Sequence, residues 1–207
     1  NDVIPNEENV LNNSYQLTRN FNYIKRVDYA SDSKVGKIVD AFIAYMSTSD
    51  AKAIIKENDG ILNLSTSDKK WSDIKSNYPI TLEDNSNITV KFGGSTSVEK
   101  IAKKLTSAFM PLCGNFIAEH NHTGSGDAFK HTQAEATKDD AAGKLDVGFL
   151  SRELETNENA AENSYGKICT DAIVAVVNSK NPYKSTDSQT LTDIYKGVKT
   201  IWNQVIA

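Results

Sequence analysis

The sequence contains little cysteine, methionine or tryptophan, with two of each among 207 residues. Two cysteines, Cys113 and Cys169, cannot form the disulfide framework of a small secreted domain. A single bridge stays open, but we expect two separate buried thiols, because free cysteine behaves as a small apolar residue. The chain also lacks any apolar run that approaches the roughly 18 residues of a membrane-spanning helix. Neither a disulfide scaffold nor a membrane span is therefore predicted.

An excess of basic residues is also missing, since 23 Lys and Arg stand against 27 Asp and Glu, for a net charge of −4. A nucleic-acid partner normally requires a basic surface, so we expect none. A small anionic ligand is compatible with this charge, because the partial positive charge of a helix N-terminus acts locally.

What the sequence does contain is the composition of a globular protein, with 39% hydrophobic and 24% charged residues. Its length is sufficient to bury a core. The first residues are polar and acidic, without a methionine or a secretory leader. We therefore expect a processed or excised piece of a longer protein.

The spacing of apolar residues predicts an α/β protein. Helices are predicted over residues 33–46, 50–58, 97–110, 126–137 and 188–196. Strands are predicted over residues 15–19 and 21–24 (one strand or a pair), 88–92, 115–119, 145–149 and 172–177. The alternation of strand and helix from residue 88 onward predicts a three-layer lobe, with a mainly parallel central sheet and helices on both faces.

Two polar stretches interrupt this pattern. Residues 65–87 are rich in Ser, Asp, Lys and Asn and are predicted to be a linker, with one helical turn near residues 71–74. Residues 151–163 are acidic and are predicted to be a loop or a frayed helix.

Two glycine-containing turns each connect a predicted strand to a predicted helix. The first covers residues 93–97 with the sequence GGSTS, and the second covers residues 123–126 with the sequence TGSG. A helix N-terminus presents unpaired N–H groups, and glycine lets an anion approach them closely. Ligands of parallel sheets bind beyond the carboxyl ends of the strands, where both turns are predicted. The pattern therefore predicts a site for a small oxyanion. The alternative is a pair of ordinary connections, since Thr96 and Glu99 have the spacing of a capping box.

Ser151 and Arg152 follow the predicted strand at residues 145–149 and so belong to the same edge. The planar fork of an arginine matches the geometry of an oxyanion. A surface arginine paired with Glu153 or Glu155 fits the sequence equally well.

Metal binding, cofactor binding and catalysis are not predicted. His120 and His122 would point to one face of a strand, but neither they nor His131 have a further ligand at a zinc-like spacing. Neither glycine turn continues as a Walker A loop or completes a dinucleotide-binding fingerprint. No serine has a convincing base partner for a hydrolytic triad.

Several motifs occur in the order found in the phosphate-binding proteins of ABC transporters, a branch of the type II periplasmic-binding-protein fold. Residues 88–206 resemble the first lobe of that family. The matching segments are GSTSV at 94–98, GSG at 124–126, DVG at 146–148, SREL at 151–154, DAIV at 171–174 through Asn178 and Pro182, LTDIYKG at 191–197 and IWN at 201–203. Residues 3–64 resemble the opposite end of the same family, through YQLTR at 15–19 and the helices within 41–55.

The resemblance implies an inverted order, in which a family C-terminus precedes a family N-terminus. A tandem or permuted protein cut at both crossovers would have this order. We expect one α/β lobe built from residues 1–64 and 88–207, with residues 65–87 as the new connection. The second lobe of the family would lie outside this chain. The alternative is two half-domains, each completed by a different partner.

The resemblance also implies a function. It describes a non-enzymatic, extracytoplasmic receptor for inorganic phosphate or a similar oxyanion, membrane-anchored as a lipoprotein in its full-length form and serving an ABC permease. Half of the phosphate site would lie in this chain, at Ser95, Thr96, Ser97, Ser125, Gly126, Ser151 and Arg152. Leu150 and Ser151 depart from the family, which often has a small hydroxyl residue and, in some members, a carboxylate at these positions. The alternative is an interaction or structural module that kept the fold and lost its ligand.

Overall fold

The computed structural model describes residues 3–134, 143–183 and 185–205. The chain divides into two compact units. One unit, called the sheet unit below, is formed by Thr18–Asp171. The other, called the terminal unit, is formed by Asn1–Leu17 together with Ala172–Ala207. All of the predicted site residues belong to the sheet unit.

The strands and helices of the described residues are numbered in chain order. The strands are β1 (Thr18–Lys25), β2 (Thr89–Gly94), β3 (Ile117–Asn121), β4 (Val147–Leu150) and β5 (Tyr165–Ala172). The helices are α1 (Glu7–Leu11), α2 (Lys34–Met46), α3 (Ser49–Glu57), α4 (Trp71–Ile74), α5 (Glu99–Phe109), α6 (Ser125–Gln133) and α7 (Ser188–Tyr195). The five predicted helices correspond to α2, α3, α5, α6 and α7. Their ends differ from the predicted ones by one or two residues, except at the end of α6, where residues 135–137 lie outside the described part of the chain.

The five strands form one sheet in the order β3-β2-β4-β1-β5. Strand β2 is parallel to both β3 and β4, whereas β1 is antiparallel to β4. The predicted α/β fold class is therefore confirmed, and the sheet is mixed, with β3, β2 and β4 as its parallel part. The parallel part is built from the strand–helix alternation that begins at residue 88. Strand β1 precedes that alternation, and its sequence does not indicate which strand it will join.

Helices cover both faces of this sheet. Successive side chains of a strand point to opposite faces. Phe149 belongs to the large hydrophobic cluster that includes residues of α2 and α5. The next residue, Leu150, packs instead with Ile24 and with Ala128 of α6. The sheet unit thus has the predicted three layers, with α2 and α5 on one face and α6 on the other.

Helix α2 is the helix most deeply packed on the sheet. Its start is capped by Ser33, whose hydroxyl accepts a hydrogen bond from the Gly36 amide at 3.2 Å. Phe42 is fully buried. Its ring centre lies 5.2 Å from that of Phe92 on β2 and 5.7 Å from that of Phe109 on α5. The apolar stripe of the predicted helix therefore meets the sheet through aromatic contacts.

Residues 65–87 contain more structure than their polar composition indicates. The predicted turn at Trp71–Ile74 is confirmed as α4, and short 3₁₀ turns follow at Lys75–Asn77 and Pro79–Leu82. Trp71 is 5% exposed. Asn85 is fully buried, and its amide donates hydrogen bonds to the carbonyl oxygens of Ile80 and Cys113, at 2.9 and 3.2 Å. A few anchoring side chains therefore tie this polar segment to the core.

The two cysteines are separate buried thiols, as predicted. Burial raises the pKa of each thiol to about 12. Both are therefore neutral and unreactive near neutral pH, because the thiolate is the reactive form.

The terminal unit contains the clearest error of the sequence-based prediction. Strand β5 ends at Ala172, and residues 173–177 form no strand, although they were predicted to be a strand buried on both faces. Val176 is 85% exposed. The amide of Ile173 donates a hydrogen bond of 2.8 Å to the carbonyl of Leu17. Its carbonyl accepts one of 2.6 Å from the hydroxyl of Tyr15. Apolar β-branched residues favour extended backbone, but a strand also needs a paired neighbour. β5 itself was missed.

The aromatic contacts of α2 predict a large effect of truncating Phe42. The Phe42→Ala variant should lose about 3–5 kcal/mol in the free energy of unfolding, because the change removes a fully buried ring and leaves a cavity. Urea unfolding of the 207-residue chain measures this loss. Leu82→Ala is the control, since Leu82 is 88% exposed and should change stability by less than about 0.5 kcal/mol. Equal losses from the two variants would contradict the described core.

Candidate oxyanion site

Three strand ends meet at one edge of the sheet unit. Strands β3, β2 and β4 are adjacent and parallel, so their carboxyl ends lie at the same edge, where ligands of α/β sheets bind. β2 continues into residues 95–98, β3 into residues 122–124 and β4 into residues 151–152. The two glycine turns and the Ser151–Arg152 pair therefore lie at the same edge, as their order in the sequence predicts.

Glycine at position 94 allows the first turn to sit against its neighbours. Gly94 has a positive φ of 102°, and a Cβ atom there would lie 2.4 Å from the carbonyl oxygen of Phe149. Any other residue would be strained and would clash with backbone. The carbonyl of Gly94 accepts a hydrogen bond of 2.8 Å from the amide of Gly124. The second turn is thus bonded directly to the first.

The first turn has one buried and two exposed hydroxyl residues. Ser95 is 3% exposed, and its amide donates to the carbonyl of Phe149 at 2.7 Å. Its hydroxyl accepts a bond of 3.2 Å from the Ser97 amide. Thr96 and Ser97 are exposed, and the Thr96 amide has no acceptor among the described residues. Helix α5 begins at Glu99 without a side-chain cap, so the capping box offered by the sequence does not form.

The second turn places Ser125 as the first residue of α6. The hydroxyl oxygen of Ser125 accepts a bond of 3.1 Å from the Ser151 amide and lies 3.4 Å from the Ser151 hydroxyl. A Cβ atom built on Gly124 or Gly126 would meet nothing within 4 Å. The start of α6 therefore faces open space, while its first hydroxyl ties the second turn to the end of β4.

Arg152 lies at this edge, but its guanidinium is already paired. Two of its nitrogens donate to the two carboxylate oxygens of Glu158, at 2.6 and 2.8 Å. Glu155 lies 3.3 Å away and Glu153 accepts a bond through its carbonyl. The hydrogen bonds from Arg152 lower the pKa of Glu158, and the same bonds raise the pKa of Arg152. The surface pairing offered as an alternative by the sequence is thus present, with Glu158 as the main partner.

The two neighbouring histidines connect β3 to the first turn. His120 Nε2 lies 2.9 Å from the Thr106 hydroxyl on α5, and His120 Nδ1 lies 3.1 Å from His122 Nε2. His122 Nδ1 lies 3.0 Å from the carbonyl oxygen of Ser95. Burial is the main cause that lowers the pKa of both rings, for His120 to about 4. Both are therefore neutral at pH 7.

The described residues contain neither a cluster of metal-ligating side chains nor a membrane-spanning helix. Within residues 3–134, 143–183 and 185–205, no three His, Cys, Asp or Glu side chains are grouped so that they could hold a metal. None of the helices in the same ranges is long and apolar enough to cross a bilayer.

Two side chains at this edge were missed from the sequence. Glu158 lies in the acidic stretch after β4, where four glutamates stand within residues 153–162 and nothing marks which one pairs with Arg152. The sequence presented His122 either as a metal ligand, which was not favoured, or as a polar residue beside the second glycine turn. Its spacing of two from His120 did signal a shared face of the strand, but not a hydrogen bond to the first turn.

The mixed α/β sheet, with both glycine turns at one edge, has counterparts among known proteins. The sequence profile of the PBP superfamily domain matches residues 70–207. The chain belongs to the PBP superfamily.

The individual relatives share less than a quarter of their residues with this chain. The phosphate-binding protein PstS 2 of Streptococcus agalactiae, from serotype V and serotype III strains, is 24% identical over 198 residues. The match covers 96% of this chain and 59% of the relative, so the chain spans about three-fifths of those proteins. A crystal structure of the phosphate-binding protein of a phosphate ABC transporter from Streptococcus pneumoniae shares the fold, with a TM-score of 0.69 at 21% identity. That match covers 98% of this chain and 69% of the other.

The lowered histidine pKa values predict a loss of stability in mild acid. Unfolding frees each ring to bind a proton near pH 6.5, whereas the folded rings resist protonation down to about pH 4 for His120. Their contribution is complete above pH 6.5 and is lost as the pH falls toward 4. We expect the free energy of unfolding to fall by about 1–2 kcal/mol from pH 7 to pH 5, a value reduced for the partial exposure of the rings.

Urea unfolding at the two pH values measures this difference. His120→Phe keeps an aromatic ring against Phe92 and removes one titrating group, so it should show a smaller change between pH 7 and pH 5. A variant with the same pH dependence as the parent chain would show that other groups cause it.

Proposed function

We propose that the sheet unit binds a small tetrahedral oxyanion, inorganic phosphate above all, at the edge formed by Ser95, Thr96, Ser97, Ser125, Gly126, Ser151 and Arg152. The observation that carries this proposal is the meeting of three strand ends at one edge, with α5 and α6 starting beside them. The amides and hydroxyls there are neutral donors, and the N-termini of the two helices add partial positive charge. The relatives are phosphate-binding proteins, which supports phosphate as the first ligand to test.

The proposed site is half of a complete one. The chain spans 59% of the S. agalactiae relatives and 69% of the S. pneumoniae structure, so a second lobe would come from residues outside it. We propose that residues 1–64 and 88–207 are the family C-terminal and N-terminal parts in inverted order, joined through residues 65–87.

The partner and the cellular location of the full-length protein follow from the same proposal. The S. pneumoniae protein is the phosphate-binding protein of a phosphate ABC transporter, which supports an ABC permease as the partner of the whole protein. Such a receptor would work outside the cytoplasm and would be held at the membrane as a lipoprotein. Binding and release without catalysis would be its role.

A second function is favoured by one observation. The fork of Arg152, the one guanidinium of the proposed site, is filled by the Glu158 carboxylate at 2.6 and 2.8 Å. An oxyanion would have to replace this internal anion or bind beside it through the neutral donors. A module that has kept the fold for an interaction or structural role, without a ligand, would also hold its arginine in this way.

The proposal predicts weak but site-specific phosphate binding by the 207-residue chain. One lobe leaves the anion facing water, where each hydrogen bond contributes only about 0.5–1.5 kcal/mol. We expect a dissociation constant no tighter than about 1 mM, which corresponds to about −4 kcal/mol. Amide chemical shifts measured by NMR during titrations with phosphate, arsenate and sulfate give both the constant and the location.

A pair of serine variants tests the location. Ser125→Ala removes a hydroxyl from the first residue of α6 and should weaken phosphate binding several-fold. Ser188→Ala is the matched control, because Ser188 is the first residue of α7 in the terminal unit and should leave binding unchanged. No shift at residues 95–97, 125–126 or 151–152 at 20 mM phosphate would favour the ligand-free module. Micromolar binding would show that the second lobe is unnecessary.

Glu158 provides a further test of the site. Glu158→Gln keeps the size of the side chain but removes the charge that competes for Arg152, so phosphate should bind about three- to tenfold more tightly. Glu155→Gln is the matched control, since Glu155 also faces Arg152 but its side chain is 61% exposed and screened by water. Equal gains from both variants would indicate a general change in charge instead of direct competition at Arg152.

A further inference from the structure

The carbonyl of Ser95 is the best-anchored acceptor of the first turn. It accepts a hydrogen bond of 3.0 Å from His122 Nδ1 and a longer one of 3.3 Å from the Val98 amide. Ser95 is only 3% exposed, so both hydrogen bonds to its carbonyl come from the interior of the protein. The next residue, Thr96, is exposed.

The bond to Ser95 fixes the position of every proton along the histidine chain. A carbonyl oxygen can only accept, so His122 Nδ1 must carry the proton. In a neutral imidazole the other nitrogen is then bare, and His122 Nε2 accepts from His120 Nδ1. His120 Nε2 is bare in turn and accepts from the Thr106 hydroxyl at 2.9 Å, a shorter distance than the 3.2 Å between this hydroxyl and its other acceptor, the carbonyl of Lys103. All bonds therefore point from α5 through β3 to the first turn.

The rings have little freedom to leave this arrangement. His120 and His122 are stacked, with centres 5.4 Å apart and an angle of 14° between their planes. His120 also stacks on Phe92 at 5.3 Å, and His122 on Phe149 at 6.1 Å. The two phenylalanines belong to β2 and β4, the strands on which the site edge is built. The hydrogen-bond chain is thus supported by the sheet itself.

The consequence for the site follows from the geometry of the peptide bond. None of the peptide bonds between described residues is cis, and in a trans peptide the C=O and the following N–H point in opposite directions. Fixing the Ser95 carbonyl toward His122 therefore directs the Thr96 N–H away from it. That N–H has no acceptor among the described residues, and it belongs to an exposed residue at the proposed site.

We propose that His122, oriented by His120 and Thr106, is a positioning residue that aims the Thr96 N–H at the bound oxyanion. The inference rests on the proposed function for its ligand, but the orientation of the peptide and the protonation of the rings are properties of the free chain. His122 itself does not touch the anion. It acts by preventing the Ser95–Thr96 peptide from turning its carbonyl, a repulsive acceptor, toward a negative ligand.

The first experiment examines the free chain. Long-range ¹H–¹⁵N NMR spectra distinguish protonated from bare ring nitrogens. At pH 7 we expect the proton on Nδ1 of both His120 and His122. A neutral histidine in water prefers Nε2, so this result would be specific to the hydrogen-bond chain. A proton on Nε2 of His122 would overturn the proposal, because Nδ1 could then no longer donate to Ser95.

The second experiment measures phosphate binding by variants of the 207-residue chain at pH 7. His122→Phe keeps the ring stack and removes the donor, and the dissociation constant should rise at least tenfold. His122→Asn should rescue binding to within about threefold of the parent chain, because the asparagine amide nitrogen takes the place of Nδ1. His131→Phe is the control, since His131 lies on α6 outside the hydrogen-bond chain. Equal binding by all variants would overturn the proposal.

The two experiments separate the failure of this inference from the failure of the proposed function. If the parent chain does not bind phosphate, the proposed function fails. The role of His122 in orienting the Ser95–Thr96 peptide is then tested in the chain without ligand. His122→Phe must still change the amide shift and raise the exchange rate of Thr96, and His122→Asn must restore both. If phosphate binds and Thr96 responds equally in every variant, the function stands and the role of His122 is wrong.

Discussion

The close contact between three parallel strand ends is the constraint on which the candidate site depends. Gly94 has no room for a side chain between β2 and the carbonyl of Phe149, and Gly124 is bonded to Gly94 in turn. Because these contacts involve backbone, the spacing of the two turns is set by the sheet and not by flexible side chains. Donors held in this way need little reorganisation when an anion arrives, which is how a site of neutral groups gains selectivity.

The site combines neutral and charged groups in an unusual balance. Thr96 and Ser97 of the first turn are exposed, whereas the guanidinium of Arg152 is paired with the carboxylate of Glu158. Glu158 has a side-chain exposure of only 10%, so removing it would leave a partly buried charge on Arg152. The pair therefore holds the arginine in place at the edge of the site when no anion is present. It also sets a threshold that a weakly bound anion must overcome.

Much of this architecture could be predicted from the sequence, for definite physical reasons. The turns GGSTS and TGSG contain glycine and hydroxyl residues in adjacent positions, so local sequence reveals them. The stripe of α2 is equally local. Partners distant in sequence are different: nothing near Arg152 distinguishes Glu158 from its neighbours, and nothing in β1 indicates its antiparallel pairing. The error at residues 173–177 has the same origin, because the apolar pattern is local and the pairing that makes a strand is not.

The histidine pair also shows that contacts with residues distant in sequence cannot be predicted from a local pattern. Two histidines separated by one residue on a strand raise the question of a metal site, because histidine is the commonest metal ligand, although no further ligand stands at a zinc-like spacing. In the structure the second ring nitrogen of each histidine is engaged by another protein atom. Which of the two readings applies is decided by Thr106 and Ser95, which come from other elements and could not be placed from the sequence.

The positions of the two tryptophans have an optical consequence. Trp71 is 5% exposed in the sheet unit, where its ring stacks on Tyr78 at 5.8 Å. Trp202 belongs to the terminal unit and is 48% exposed, with Tyr183 at 6.0 Å. A buried and a solvent-exposed indole emit at different wavelengths, so a single fluorescence spectrum contains a separate signal from each unit. The two tryptophans therefore report separately on the unfolding of each unit.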